Sequence, residues 1–369
     1  MRLLQFLSLC LWFCVINRSF GLGETRLFQF RDPLKSASSP DRITAFNAVN
    51  RVQKTIRPGW ELRMFVEEGV WNTSTPTGLD PEGSISQNNR LAVLDQFADT
   101  MRQIILTMEN LATSFKVPAN ASLDGINFVF LDIQDGFSSD PSQDERKGSY
   151  FAARFDPLDQ EAASGLNRSN LIYVDLNPGT LGRELVFGVN RKKTWQDAVR
   201  SLGKLILYQQ NTNKEAWIQE GYAQYILYRL LKQRPFPQGQ ELILNVPAEP
   251  VSEVSLFLAD PVSVYAGYIT DSDLMDRVFF EKTPRDLLDN VRNSQLRGFS
   301  YLFFTYLFHK MGGNFETTNT PGDEFFRSLA QDSRTGVEAL KALILNKGSS
   351  LGTILEDFYL SLVFRTQEQ

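Results

Sequence analysis

The sequence predicts an α+β protein with a sheet-bearing first half and a mainly helical second half. Three observations predict it. Residues 126–131 (INFVFL) and 171–176 (LIYVDL) are near-continuous apolar runs of strand length, the pattern of strands buried on both faces. From about residue 194 onward, apolar residues recur at helical spacing in segment after segment. The chain has 369 residues, 42% of them hydrophobic and 28 of them Phe, enough for a sizeable core and against disorder as the main state. At roughly 150 residues per domain, this length predicts about two domains or one large one.

The elements follow in order. Residues 22–44 read as an N-terminal extension or linker, with a short strand-like LFQF and then a Ser/Pro-rich loop, PLKSASSPDR. Residues 43–55 fit either a strand or a short helix. Trp60, Leu62, Met64 and Val66 alternate with other residues, so residues 59–70 read as a strand with one buried face. Residues 88–115 carry Leu91, Leu94, Phe97, Met101, Ile104, Ile105, Met108 and Leu111, one long amphipathic helix. SYFAARFDP reads as a strand at a sheet edge. Thr194, with Asp197 three residues on, is expected to cap a helix running to Gln209. A second helix is expected over residues 214–232, and residues 241–276 show strand- and loop-like sequence without a clear period. Residues 297–311 form an apolar helix stopped by Gly312-Gly313, and further helices are expected at 323–330, 336–346 and 351–364. The lobes are therefore placed at 45–212 and 213–369.

The first 21 residues, with Arg2 and then an apolar run from Leu3 to Ile16 ending near small residues, have the pattern of a secretory signal peptide. The run is shorter than the ~20 residues of a spanning helix. The two cysteines, Cys10 and Cys14, both lie in this leader. The mature chain then has no disulfide and no thiolate ligand, which fits a bacterial envelope or secreted protein, in the periplasm, at the outer surface or released. Lipidation at Cys14 is the alternative, against which stands the bulky Phe13 before it. No span is expected after cleavage. Net charge is −5, and about −7 once Arg2 and Arg18 leave with the leader. An acidic chain without a long Lys/Arg run is a poor partner for nucleic acid. Asn72, Asn120 and Asn167 begin N-x-S/T sequons, a pattern that chance often produces. Asp132, Asp135, Asp140, Asp144 and Glu145 lack the spacing of a calcium loop and read as a solvated acidic segment.

The stretch from Val199 to Ile226, VRSLGKLILYQQNTNKEAWIQEGYAQYI, reads as two helices joined by a polar turn. With DGINFVFLDIQDG, GSYFAARFDPLD and SNLIYVDLNP before it and GFSYLFFTYLFHKMGG after it, this stretch resembles the hyicolysin-type gluzincin metallopeptidases from about residue 43 to 364. In that family a helix bearing HExxH precedes a helix bearing W-x-x-E-G. The resemblance implies a thermolysin-like fold, a mixed sheet with an active-site helix on its face and a helical lobe after it. It also implies zinc-dependent endopeptidase activity outside the cytoplasm.

The residues depart from that chemistry. A zinc site of this kind uses two neutral imidazoles one helical turn apart, a carboxylate from the next helix, and a Glu that takes a proton from the metal-bound water. Glu220 matches the carboxylate ligand. Arg200 and Lys204 stand where the two His are expected, and Ser201 where the general base is expected. A guanidinium does not deprotonate in a protein, and an ammonium has a reference pKa near ~10.4, so both repel a divalent cation. The one His of the chain is His309, placed as a packed or dipole-stabilised residue at a helix end. No catalytic residue, metal or cofactor is therefore expected.

In place of the metal, Arg200 or Lys204 is expected to bond Glu220 across the two helices. The plainer alternative makes Arg200 and Lys204 a solvated helix face and Trp217 and Tyr222 packing residues rather than the lining of a peptide cleft. The expectation is an exported, catalytically inactive metallopeptidase homologue that binds an extended peptide or an extracellular protein. Two enzyme alternatives stand beside it: a hydrolase using Ser201 and Lys204 in an S-x-x-K arrangement, and a peptidase with a carboxylate metal site.

Overall fold

The structure is a computed structural model, and it describes residues 22–32, 43–71, 87–111, 114–118, 121–133, 152–161, 167–176, 193–210, 216–232, 251–259, 261, 287–317 and 319–365. Residues 1–21, Asn72 and Asn120, and Asp135, Asp140, Asp144 and Glu145, for which the sequence sets expectations, lie outside them.

Six strands form one mixed sheet: β1 (Thr25–Arg31), β2 (Ile43–Arg57), β3 (Trp60–Glu67), β4 (Ile126–Leu131), β5 (Ala153–Arg154) and β6 (Leu171–Asp175). Their spatial order is β1-β2-β3-β4-β6-β5. The pairs β1–β2, β2–β3 and β5–β6 are antiparallel, while β3–β4 and β4–β6 are parallel. The two apolar runs are the parallel centre, and every residue of β4 and β6 is buried. The ambiguous segment after residue 42 is a 15-residue strand. The segment expected to be an extension or linker contributes β1, because Phe28 and Phe30 alternate into the apolar interior.

The two faces of the sheet are buried differently. Leu62, Met64 and Val66 of β3, Ile126, Phe128 and Phe130 of β4, and Ile172 and Val174 of β6 face the helices. Phe65, Val129, Leu131, Leu171 and Tyr173 face the other way and meet Phe28 and Phe30 of β1 in a second apolar cluster. The sheet curls until Phe30 touches Tyr173 at 5.0 Å between ring centroids, although β1 and β6 are not neighbours in it. A bulge between Asn50 and Val52 lets β2 send Ala48 to the inner cluster and Val52 to the helical side.

The curl also covers the outer edge of β1. Asn167 reaches back and copies a strand: the Gln29 N–H donates to its Oδ1 at 2.9 Å, and its Nδ2 donates to the Gln29 carbonyl at 2.7 Å. Arg31 pairs with Asp156 at 2.5 Å, and Arg154 donates to the Arg31 carbonyl. The sequon at Asn167 thus holds a buried structural amide. Its Nδ2 also donates to Asp159 Oδ1 at 2.7 Å.

Asp159 is fully buried in a short 3₁₀ helix (Pro157–Gln160). Burial and the adjacent Asp156 carboxylate push its carboxyl up to about 7, against the hydrogen bonds from Asn167 and Tyr173. A carboxyl raised in the folded state stabilises below its unfolded pKa and loses that contribution as pH rises through the folded one. The parent is therefore expected to lose about 2–3 kcal/mol between pH 5 and 7.5 relative to Asp159→Asn. Urea melts of both proteins at the two pH values check this, and parallel pH dependence would contradict it.

The helices are α1 (Glu68–Trp71), α2 (Gln87–Leu111), α3 (Lys193–Gln210), α4 (Ala216–Lys232), α5 (Val251–Ala259), α6 (Leu287–Lys310), α7 (Pro321–Gln331), α8 (Gly336–Leu345) and α9 (Leu351–Arg365). Helix α5 falls where strand- and loop-like sequence was expected. Its Phe257 is anchored between Phe299 of α6 and Phe358 of α9, contacts that a local reading of VSEVSLFLA does not reveal. Helix α3 begins at Lys193, so Thr194, expected as its cap, lies inside it. Helix α6 starts ten residues before the expected Arg297. One continuous core runs from Val52 of the sheet to Phe358 of α9, across the 212–213 boundary. None of the described helices is long and apolar enough to cross a membrane.

Candidate functional site

Helices α3, α4 and α6 meet at one carboxylate. The α3 sequence puts Trp195, Ala198, Val199, Leu202, Leu205 and Ile206 into the core, an apolar stripe at helical spacing that leaves Arg200 and Lys204 on a flank. Helix α4 is buried along nearly its whole described length, so a charge on it needs a partner inside the fold.

Glycine allows the close approach. A Cβ at Gly221 would stand 2.3 Å from the Phe304 ring of α6, and one at Gly203 would stand 3.0 Å from the Ala223 Cα of α4. Gly221 in the Trp-x-x-Glu-Gly run is thus required by packing alone.

At this junction Glu220 is 1% exposed. Lys204 Nζ lies 2.6 Å from its Oε2 in a direct ion pair, and Gln224 Nε2 donates to its Oε1 at 3.1 Å. Arg297 of α6 approaches from the third helix, its Nε 4.0 Å from Oε1. Arg200 pairs with Asp197 on its own helix and acts on Glu220 through space. Of the two expected cation partners for Glu220, Lys204 is the one in contact. Arg200 is not, since a carboxylate one turn back in α3 is nearer to hand.

The electrostatics follow from that geometry. Burial alone would raise the Glu220 carboxyl, but Lys204, Arg297 and Arg200 outweigh it and hold the group well below the usual carboxylate range. Lys204 moves down from the ordinary ammonium value: desolvation and the neighbouring Arg297 and Arg200 lower it, and Glu220 opposes them. Glu220 is the anion and Lys204 its counter-charge, so the ion pair bridges α3 to α4.

The other sequence-selected residues sit as follows. Ser201 is 5% exposed, and no hydrogen bond joins it to Lys204. Trp217 and Tyr222, read as packing residues with a cleft lining as the alternative, are 2% and 0% exposed and belong to the core. Trp217 is enclosed by Phe299, Phe303 and Phe304 of α6, and Tyr222 by Tyr225 and Phe326. His309 is in the last turn of α6, exposed, with its ring against Phe315 and Nδ1 3.3 Å from the Gly313 carbonyl. Among the described residues no three His, Cys, Asp or Glu side chains come together to hold a metal ion.

Sequence reading missed two residues of consequence. Arg297, at the expected start of an apolar helix, instead lies inside α6. The other is Arg229, about two and a half turns along α4 from Glu220 and fully buried. Arg229 donates to Asp323 through Nε at 2.8 Å and to the Phe315 carbonyl at 2.9 Å, and it also bonds the Thr317 carbonyl. Asp323 additionally accepts from Tyr225 at 2.9 Å and from the Thr320 hydroxyl at 2.7 Å, closing a capping box at the start of α7. The usable signal was Thr320-Pro-Gly-Asp323, a capping pattern that demands a charge partner when buried. No family model matches the chain, and no curated protein matches it.

Proposed function

We propose that the chain is an exported, catalytically inactive homologue of the hyicolysin-type metallopeptidases, with a thermolysin-like fold, that binds extended peptides or extracellular proteins without cutting them. The observation that carries this reading is the Lys204–Glu220 ion pair. It joins α3 and α4 at 2.6 Å, at the positions that the resemblance assigns to a metal ligand on each helix. The mixed sheet with helices after it agrees with such a fold at the level of α+β architecture.

An ammonium engaged by a buried carboxylate offers neither an open coordination position nor a free base. An extended peptide would be held by adding to a sheet edge as a further strand. The covered edge of β1 is not available for this. Export rests on the leader pattern of the first 21 residues.

The test incubates the full chain with a pool of extended peptides and reads retention by equilibrium dialysis and integrity by mass spectrometry. Retained and intact peptides are expected. Cleavage blocked by a chelator would overturn the reading in favour of a metal site, and cleavage lost in Ser201→Ala would overturn it in favour of the Ser201/Lys204 hydrolase.

A further inference from the structure

The charges that the described residues place around Glu220 do not balance. Among the described residues the junction of α3, α4 and α6 holds three cations, Arg200, Lys204 and Arg297, and two carboxylates, Asp197 and Glu220. Arg200 and Asp197 pair with each other. That leaves Lys204 and Arg297 sharing Glu220, with one positive charge in excess.

The layering of these groups matters as much as the count. Glu220 lies at the bottom, 1% exposed, with Gln224 and Lys204 on its two oxygens. The side chains of Lys204 and Arg297 are 28% and 22% exposed, so the solvent side of the cluster is cationic. Arg297 Nε is buried without a hydrogen-bond partner, and 4.0 Å from Glu220 Oε1 is too long for such a bond. Because Nε itself is closed to solvent, an external acceptor can be taken only by the other guanidinium donors. Lys204 has donors beyond the one facing Glu220.

We infer that Lys204 and Arg297 together form a receptor for a ligand carboxylate, supplied by the C-terminus of a peptide or by an Asp or Glu side chain. The inference rests on the peptide-binding reading above and names the group that the bound peptide must carry. A carboxylate matches the planar fork of a guanidinium, and its second oxygen can take a donor from the ammonium. The ligand then supplies the missing negative charge and leaves the buried Lys204–Glu220 pair intact.

Three fluorescein-labelled hexapeptide pools test this on the full chain by fluorescence polarisation. One has a free C-terminal carboxylate and no acidic residue. One is amidated and carries a single Glu. The third is amidated and has no carboxylate. At least one carboxylate-bearing pool is expected to bind about 10-fold or more tightly than the third, as a charge-assisted hydrogen bond implies. Which pool gains shows the source of the carboxylate. The gain should shrink at high salt and disappear in Arg297→Gln, while Arg297→Lys should keep part of it. Equal binding of all three pools overturns the carboxylate receptor and leaves peptide binding standing. Binding of none overturns both. Because the comparison of pools is made on the parent chain, it stands even if the Arg297 variants fold poorly.

Discussion

Lys204→Met is expected to destabilise the chain by about 3 kcal/mol, the low end of the range for removing one partner of a buried ion pair. The low end applies because Lys204 keeps 28% of its side-chain exposure and Arg297 remains 4.0 Å from the orphaned carboxylate. What remains costly is Glu220, a charge with 1% exposure that loses its nearest counter-ion. The loss should depend on pH. In the parent, the folded Glu220 carboxyl lies below its unfolded value, so its contribution is present above about 4.5 and fades as pH falls. In the variant that contribution is gone, and the gap between the two proteins should close on acidification. Adding Glu220→Gln to Lys204→Met should restore most of the stability. Arg200→Met should cost less, since Arg200 pairs with Asp197 and not with Glu220. Urea denaturation of the parent and the three variants reads these differences, and a Lys204→Met midpoint equal to that of the parent would sink the bridge.

Arg229→Met should cost more, about 4–5 kcal/mol. Both members of the Arg229–Asp323 pair are within 1% of full burial, and the substitution also leaves the Phe315 and Thr317 carbonyls without their donor. Burial by itself would raise Asp323, but its bonds from Arg229, Thr320 and Tyr225 hold it below the usual carboxylate range. Removing the guanidinium therefore removes the largest of the opposing influences. Arg229→Lys should recover only part of the loss, because an ammonium cannot make the fork that spans both Asp323 oxygens and two carbonyls. The consequence reaches the site: Arg229 fixes the far end of α4 to α7, and α4 carries Glu220. Chemical denaturation again provides the check, and an Arg229→Met protein as stable as its parent would show that the network is dispensable.

Much of the fold was legible because burial leaves a period. The runs at 126–131 and 171–176 are the strands they read as, and the long helix after residue 87 follows its heptad-like apolar positions. Where the local signal was weak, long-range contacts decided. Strand β1 exists because two phenylalanines find Tyr173 and Phe65 on the far side of a curled sheet. Helix α5 exists because Phe257 finds a ring of aromatics from α6 and α9. Neither partner can be read from the segment itself. At the site, the meeting of Lys204 with Glu220 followed from chemistry, since a buried carboxylate needs a cation beside it. Its choice of Lys204 over Arg200 depended on Asp197 being within reach. The part played by Arg297 depended on where α6 crosses α4, which is set by Gly221 and Phe304.

We propose that α3 and α4 keep the frame of a metal site in which a cation stands in place of the metal. Zinc stoichiometry tests it most directly, measured by elemental analysis after zinc loading and desalting. The proteins are the parent and the triple variant Arg200→His, Ser201→Glu, Lys204→His, which places two imidazoles one turn apart facing Glu220. About one zinc per chain is expected in the folded triple variant and far less than one in the parent. Stoichiometric, tightly held zinc in the parent, or a folded triple variant that holds none, would contradict it.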